Sequence, residues 1–182
     1  MKRCSWCTSD PLYISYHDKE WGVPSYDPIY LFEKLVLEGF QAGLSWITIL
    51  RKRDHFRKVF FNFDPQQVAK LSESQIDLLM QDTGIIRNRA KILSARSNAQ
   101  AWLNLADPVD FMWSVTDGKP LIKHYKCSTE VPAQSNLSIK LSKQLKKAGF
   151  KFTGPVICHA YMQSTGMLME HTTDCFRHKQ LS

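Results

Sequence analysis

Apolar positions recur at helical spacing along most of the chain, and polar capping residues fence the runs. Asp27 followed by Pro28 reads as an N-cap with proline at the first helical position. Leu31, Phe32, Leu35 and Val36 then share one face, with Gly39 as the expected stop. Ser45 is placed to cap a second helix carrying Trp46, Ile49, Leu50, Phe56 and Phe60. Asp64–Pro65 repeats the cap-plus-proline signal for a short helix through Leu71, and Ser72 with Gln75 forms a capping box before Ile76, Leu79 and Met80. After a hinge at Asp82–Thr83–Gly84 the pattern predicts a helix from about Arg87 to Leu105, then a short segment capped by Asp110. The stretch 119–132 has no period and is expected to be a loop. An amphipathic basic helix over Ser138–Ala148 ends at Gly149, and an apolar one over Pro155–Thr165 ends at Gly166. Nothing alternates as a strand; Phe60–Phe63 comes nearest. The expected class is all-α.

Composition narrows the picture. The chain has 182 residues, 43% apolar and 12% aromatic, enough for a substantial core in a single unit. No window approaches the run of about 18 apolar residues that a membrane span needs, and no apolar segment follows the first residues as in a secretory leader, so a cytoplasmic protein is expected. The net charge of +7 points to a polyanionic partner. Five cysteines, an odd number, argue for thiols or metal ligands rather than a disulfide framework.

The two ends hold the candidate ligands. Cys4, Cys7 and His17 lie at one end, His171 and Cys175 at the other, the last two spaced to share a helical face. Zinc in structural sites takes four tetrahedral nitrogen or sulfur ligands. Cys4/His17/His171/Cys175 is one possible set and Cys4/Cys7/His171/Cys175 its rival; unrelated cysteines and surface histidines are the plain alternative. A closed set of four would staple the termini rather than catalyse.

Residues 72–92 run helix, glycine turn, basic helix, a helix-hairpin-helix pattern. Gly84 is read as supplying a positive φ, and the amides about Ile85 at the start of the next helix as a phosphate cradle. Arg87, Arg89 and Lys91 would add affinity for nucleic-acid backbone. Two further basic clusters, Arg51–Lys58 and Lys140–Lys151, point the same way, although each also fits a solvated helix face.

Glu38 stands near the end of its helix, where the macrodipole disfavours an anion. It precedes G-F-Q-A-G-L-S-W, and Trp6, Tyr13, Tyr16 and Trp21 crowd a segment expected to be loop-like. Apart from ordinary packing, a carboxylate among π-faces suits a flat cationic heterocycle.

Four blocks in order, R-C-x-W…D-P-L-Y-I-x-Y-H-D-x-E-W-G-V-P, E-G-x-Q-A-G-L-S-W, D-T-G-I-I-R-N-R-x-K-I and G-F-K-F-T-G…I-C-x-x-x-M-Q-x-x-G, together resemble the bacterial 3-methyladenine DNA glycosylase I family over nearly the whole chain. The resemblance implies a helix-hairpin-helix glycosylase fold with a structural zinc held by Cys4, His17, His171 and Cys175. It implies a base pocket of Glu38, Tyr16 and Trp46, with Tyr13, Trp6 and Trp21 nearby, and monofunctional excision of 3-methyladenine from double-stranded DNA by a monomer. Two lobes are expected: about 40–130 with the hairpin, and 1–39 plus 131–182 stapled by zinc. Val156 and His159 stand where the family usually has threonine and tyrosine, and 105–135 matches poorly. The superfamily's usual aspartate base has only Asp107 and Asp110 as candidates, and the family lacks it, so Glu38 is the expected catalytic group. Leu44 is the candidate wedge for the gap left by a flipped base. The alternatives are a non-catalytic zinc-stapled DNA-binding module, and a glycosylase/lyase using a lysine such as Lys91.

Overall fold

A computed structural model describes residues 1–182. The chain is mostly helical: α1 Pro11–Lys19, α2 Pro28–Gln41, α3 Trp46–Leu50, α4 Arg53–Val59, α5 Pro65–Val68, α6 Glu73–Leu79, α7 Arg89–Leu103, α8 Pro108–Trp113, α9 Asn136–Lys147, α10 Pro155–Ser164 and α11 Phe176–Leu181. Two strands of two residues each, β1 Leu121–Ile122 and β2 Leu168–Met169, pair in parallel. The all-α expectation therefore holds except at these strands. The loop predicted over 119–132 contains β1, which is held by the amides of Leu121 and Lys123 donating to Met167 and Met169 carbonyls at 2.9 Å.

Capping chemistry explains where most helices start. Asp27 accepts from the amides of Ile29 and Tyr30, and the Ser72–Gln75 capping box forms in both directions. Four expectations need correction. The segment 11–19, read as loop, is a helix opened by the same aspartate–proline device, with Asp10 accepting from Leu12. Helix α2 passes through Gly39, a glycine in mid-helix being tolerated where the face is buried, and stops before Gly43, whose φ is +82°. The single helix expected from Ser45 breaks at Arg51–Lys52 into α3 and α4. Asp107, not Asp110, caps α8. Phe60–Phe63 is no strand: Phe61, Asn62 and Phe63 all have positive φ, forming a tight turn that stacks Phe60 and Phe63 rings 5.9 Å apart.

The main core draws on apolar residues from Leu31 to Leu168. A smaller cluster of Cys4, Tyr16, Trp21, Leu50 and Cys175 sits under the joined termini, where the Phe176 amide donates to the Lys2 carbonyl. Segment 22–25 is sewn to the end of α10 by Gly22 N–H to Gln163 O and Ser25 N–H to Thr165 O. At Gly166 a Cβ would fall 2.3 Å from the Val23–Pro24 backbone, so only glycine lets these segments meet. Helices α1, α2 and α10 and the start of α3 thereby face one another around a cavity.

Candidate active site

The cavity measures about 460 Å³. Its walls come from residues 4–46 and 128–172, and it brings together Trp6, Tyr13, Tyr16, Trp21, Glu38 and Trp46. Helical spacing in α1 puts Tyr13 and Tyr16 on one side, so the two tyrosines expected on a loop share a helical face. Trp6 meets Tyr13 edge-on at 5.5 Å and Trp21 at 5.1 Å, and Tyr16 lies 5.5 Å from Trp46. The Trp46 indole N–H is buried with no acceptor.

Glu38 is 4% exposed and lines the cavity from α2. Burial pushes its carboxyl up to about 7, against the pull of the Lys34 charge. Lys34, one turn earlier on α2, was not singled out from the sequence, although a lysine among Leu31, Phe32 and Leu35 is itself a signal. It is fully buried, and its Nζ lies 4.4 Å from the Tyr16 ring centre and 5.1 Å from that of Trp46. Burial and the neighbouring Arg53 push its ammonium down to about 7. A polar wall that sequence reasoning also missed faces the rings: His159 meets Glu170 Oε2 at 3.2 Å, and Gln163 donates to the same oxygen at 2.7 Å.

Behind this cavity Cys4, His17, His171 and Cys175 converge, all buried, with their ligand atoms within 4.8 Å of one another. The rival Cys7 is outside, its thiol directed to the Thr8 carbonyl. The set fits a metal ion on three counts. Both imidazoles turn one nitrogen outward to a fixed acceptor: His17 Nδ1 to Asp18 at 2.8 Å, and His171 Nε2 to the Trp21 carbonyl at 2.9 Å. That leaves His17 Nε2 and His171 Nδ1 as inward lone pairs. The sulfur–nitrogen separations are 3.4, 3.5 and 3.6 Å. A tetrahedron with ordinary zinc–sulfur and zinc–nitrogen bonds has edges of about 3.6 Å.

The hairpin residues divide. Helices α6 and α7 flank the turn, and Ile85 is buried beneath it. Gly84 does not have a positive φ; its place is fixed because a Cβ would lie 2.2 Å from the His55 ring, which bonds Asp82 at 2.7 Å. Arg87 is exposed, and the amides of Ile86 and Arg87 donate to no protein acceptor. Arg89 is engaged by Asp77 and Glu73. Lys91 is not on the exposed face: its ammonium donates to the Phe40 and Ala42 carbonyls at 2.8 and 2.7 Å, closing the end of α2. In the first basic cluster Arg53 is likewise internal, between Glu20 at 2.6 Å and Glu33 at 2.5 Å. Lys140, Lys143, Lys146, Lys147 and Lys151 are all exposed. Leu44, in the Gly43 turn, is 38% exposed.

The fold and the ring-walled acidic cavity define a class: the chain belongs to the methyladenine glycosylase family, whose model matches residues 6–178. It is 48% identical over 179 residues to DNA-3-methyladenine glycosylase 1 of Escherichia coli strain K12, covering 96% of each protein. A crystal structure of a 3-methyladenine DNA glycosylase I superposes with a TM-score of 0.95 at 48% identity, over 96% of this chain and 98% of that one. The Staphylococcus aureus enzyme, solved to explain its recognition of 3-methyladenine, gives 0.93 at 37% identity over 97% and 96%.

Proposed function

We propose that this protein is a monofunctional DNA repair glycosylase that extrudes 3-methyladenine from alkylated double-stranded DNA and hydrolyses its glycosidic bond. The observation that carries the reading is Glu38, a buried carboxylate with no ion-pair partner in its own cavity wall, facing a cluster of tryptophan and tyrosine rings, whereas the cavity's other buried carboxylate, Glu170, is taken up by His159 and Gln163. Methylation at N3 makes the base a cation and a good leaving group. Recognition, rather than leaving-group activation, is then the main task. Trp46 and Tyr16 give the cation π-faces, and Glu38 accepts from its amino edge and balances its charge. A neutral adenine gains neither term in full. As positive charge moves from base to sugar in the transition state, the Glu38 carboxylate stays close enough to stabilise it, while water attacks the sugar carbon.

The turn between α6 and α7, with the free amides of Ile86 and Arg87 and the exposed Arg87 side chain, serves as a helix-hairpin-helix grip on phosphate. The exposed lysines of α9 add charge to it, and Leu44 is the candidate wedge. Arg89, held by two carboxylates, contributes less. Zinc is the ion that the four-ligand set suits; it would clamp the two termini and has no open position for chemistry. The two-lobe division, a monomeric state and a cytoplasmic location belong to the same reading; no helix is long and apolar enough to cross a membrane.

Incubation with methylated duplex DNA and chromatography of the released bases tests the proposal: 3-methyladenine must appear in excess over enzyme. Binding without release would leave a DNA-binding module instead. The glycosylase/lyase alternative loses its named amine, since Lys91 is held by two carbonyls; absence of a borohydride-trapped adduct on abasic DNA checks this.

A further inference from the structure

Lys34 has no ordinary reason to be where it is. A lysine ammonium is almost never fully buried unless paired, yet this one has no hydrogen-bond acceptor. Its surroundings are the rings of Tyr16 on α1, Tyr30 on α2 and Trp46 at the start of α3, at 4.4, 5.2 and 5.1 Å. The charged groups facing it are Glu20 after α1, at 3.9 Å, Glu33 and Glu38 on α2, and Arg53 at the start of α4. Most of these cancel. Arg53 bridges Glu20 and Glu33, and Arg57 joins Glu33 at 3.0 Å. Arg57 is further shared with Asp54, and of the three carboxylates facing Lys34, Glu38 alone is met by no guanidinium.

We propose that Lys34 is a positioning residue: its ammonium, packed against the rings of Tyr16 and Trp46 one turn from Glu38, favours the ionised form of the Glu38 carboxylate while no cationic base is in the cavity. The inference rests on the reading of Glu38 as the group that meets the base. It has a second half. When a cationic base enters, it takes over as the counter-charge of Glu38. Lys34 then becomes a surplus buried cation, and its proton passes to solvent. One cation enters and one proton leaves, so the cavity's net charge is unchanged. A neutral base cannot make that exchange, so the pair adds to discrimination without touching the ligand. Burial, which already weakens the Lys34 ammonium, makes the proton easy to release.

The test is a titration of the Glu38 carboxyl carbon by NMR in the full-length protein, with and without Lys34→Met. Removing the lysine should raise the Glu38 midpoint by about one pH unit or more, a roughly tenfold fall in the ratio of carboxylate to acid. Binding of 3,9-dimethyladeninium, a cation with a methyl group in place of the sugar, should lower the midpoint of the Lys34 side-chain resonance in the wild type; a Lys34 midpoint that does not move on binding overturns the exchange. An unchanged Glu38 midpoint in a folded Lys34→Met protein overturns the proposal. Should that variant not fold, Glu38→Gln replaces it: the Lys34 side-chain resonance must then titrate lower by a similar amount, and no movement overturns the proposal equally. Base release from methylated DNA by the wild type is measured in parallel. Its absence would refute the glycosylase reading, whereas the titrations judge the pair alone.

Discussion

Lys91→Met separates two roles that look alike in sequence. The Lys91 ammonium donates to the Phe40 and Ala42 carbonyls at 2.8 and 2.7 Å, and the residue is 7% exposed. Both acceptors are carbonyls at the end of α2 with no helical partner. A hydrogen bond to a charged group contributes about 1.5–3 kcal/mol. Burial, which lowers the lysine's pKa, takes part of that back. Methionine keeps the stem packed but leaves the Phe40 carbonyl buried and unpaired, so a net loss of about 2–3 kcal/mol is expected. In a chain of this length that is a fall in Tm of about 4–12 °C. Calorimetric melting of wild type and variant measures it. The DNA arm is the salt dependence of binding. A lysine that neutralises a phosphate lowers the slope of log affinity against log salt by about 0.9 when removed; Lys91→Met should leave the slope unchanged, and Arg87→Ala should lower it by that amount. A variant that melts like wild type but loses one unit of slope would refute the assignment of Lys91 to the helix end.

Glu38→Gln keeps shape and acceptor but removes the charge; at about 4 Å and an effective dielectric of about 20 that charge is worth roughly 4 kcal/mol, so single-turnover base release should fall at least about 100-fold while DNA affinity shifts less than about 2-fold. On the proposed reading Glu38 acts as the anion, and its pKa is raised to about 7, so kcat/KM in the wild type should decline as pH falls through neutrality, and Glu38→Gln should flatten that limb. Asp18, held down to about 2 chiefly by its hydrogen bonds from Arg3, fixes His17 through Nδ1; Asp18→Asn should weaken metal retention about 10–100-fold in a chelator competition, with Cys7→Ser as the silent control. Gly84→Ala must push His55 off Asp82, costing about 1 kcal/mol by urea unfolding, and should cost nothing further once His55→Ala is already present.

Local chemistry was the legible part of the fold. Aspartate–proline pairs and a capping box state where helices begin because the side chain and the amide it satisfies are two or three residues apart. The same device at Asp10–Pro11 went unread because α1 lacks an apolar stripe: its inward residues are Tyr13, Tyr16 and His17, which serve the cavity and the ligand cluster rather than a core. Long-range pairing left no mark, so β1 and β2, two residues each and far apart in the chain, were invisible. At the site, residue types pointed to Glu38, Trp46 and a Cys/His cluster, which the fold brings together, but sequence alone could not choose between His17 and Cys7. Charge likewise misled where it was counted rather than placed. Arg53 and Lys91 are cations turned inward, whereas the lysines of α9 are exposed on an amphipathic helix.

The ligand cluster and the cavity are one construction. Tyr16 and His17 are consecutive on α1, so the turn that aims one ring into the cavity aims the other at Cys175. Trp21 lends its carbonyl to His171 and its ring to the cavity wall, and Trp6 follows Cys4 by two residues and packs against Trp21 at 5.1 Å. Cys4 and Thr172 line the cavity themselves. These rings come from an end of the chain with no apolar helix of its own to hold them, and the small core beneath them contains two of the four ligands. Glu38 and Lys34, by contrast, ride on α2, the most deeply buried helix, whose face is fixed by the main core. The acidic wall is therefore set by hydrophobic packing and the aromatic wall by the joining of the two termini. On the proposed reading, loosening the joined termini by Cys175→Ser should weaken binding of 3-methyladenine through the rings first and leave the pH dependence set by Glu38 in place.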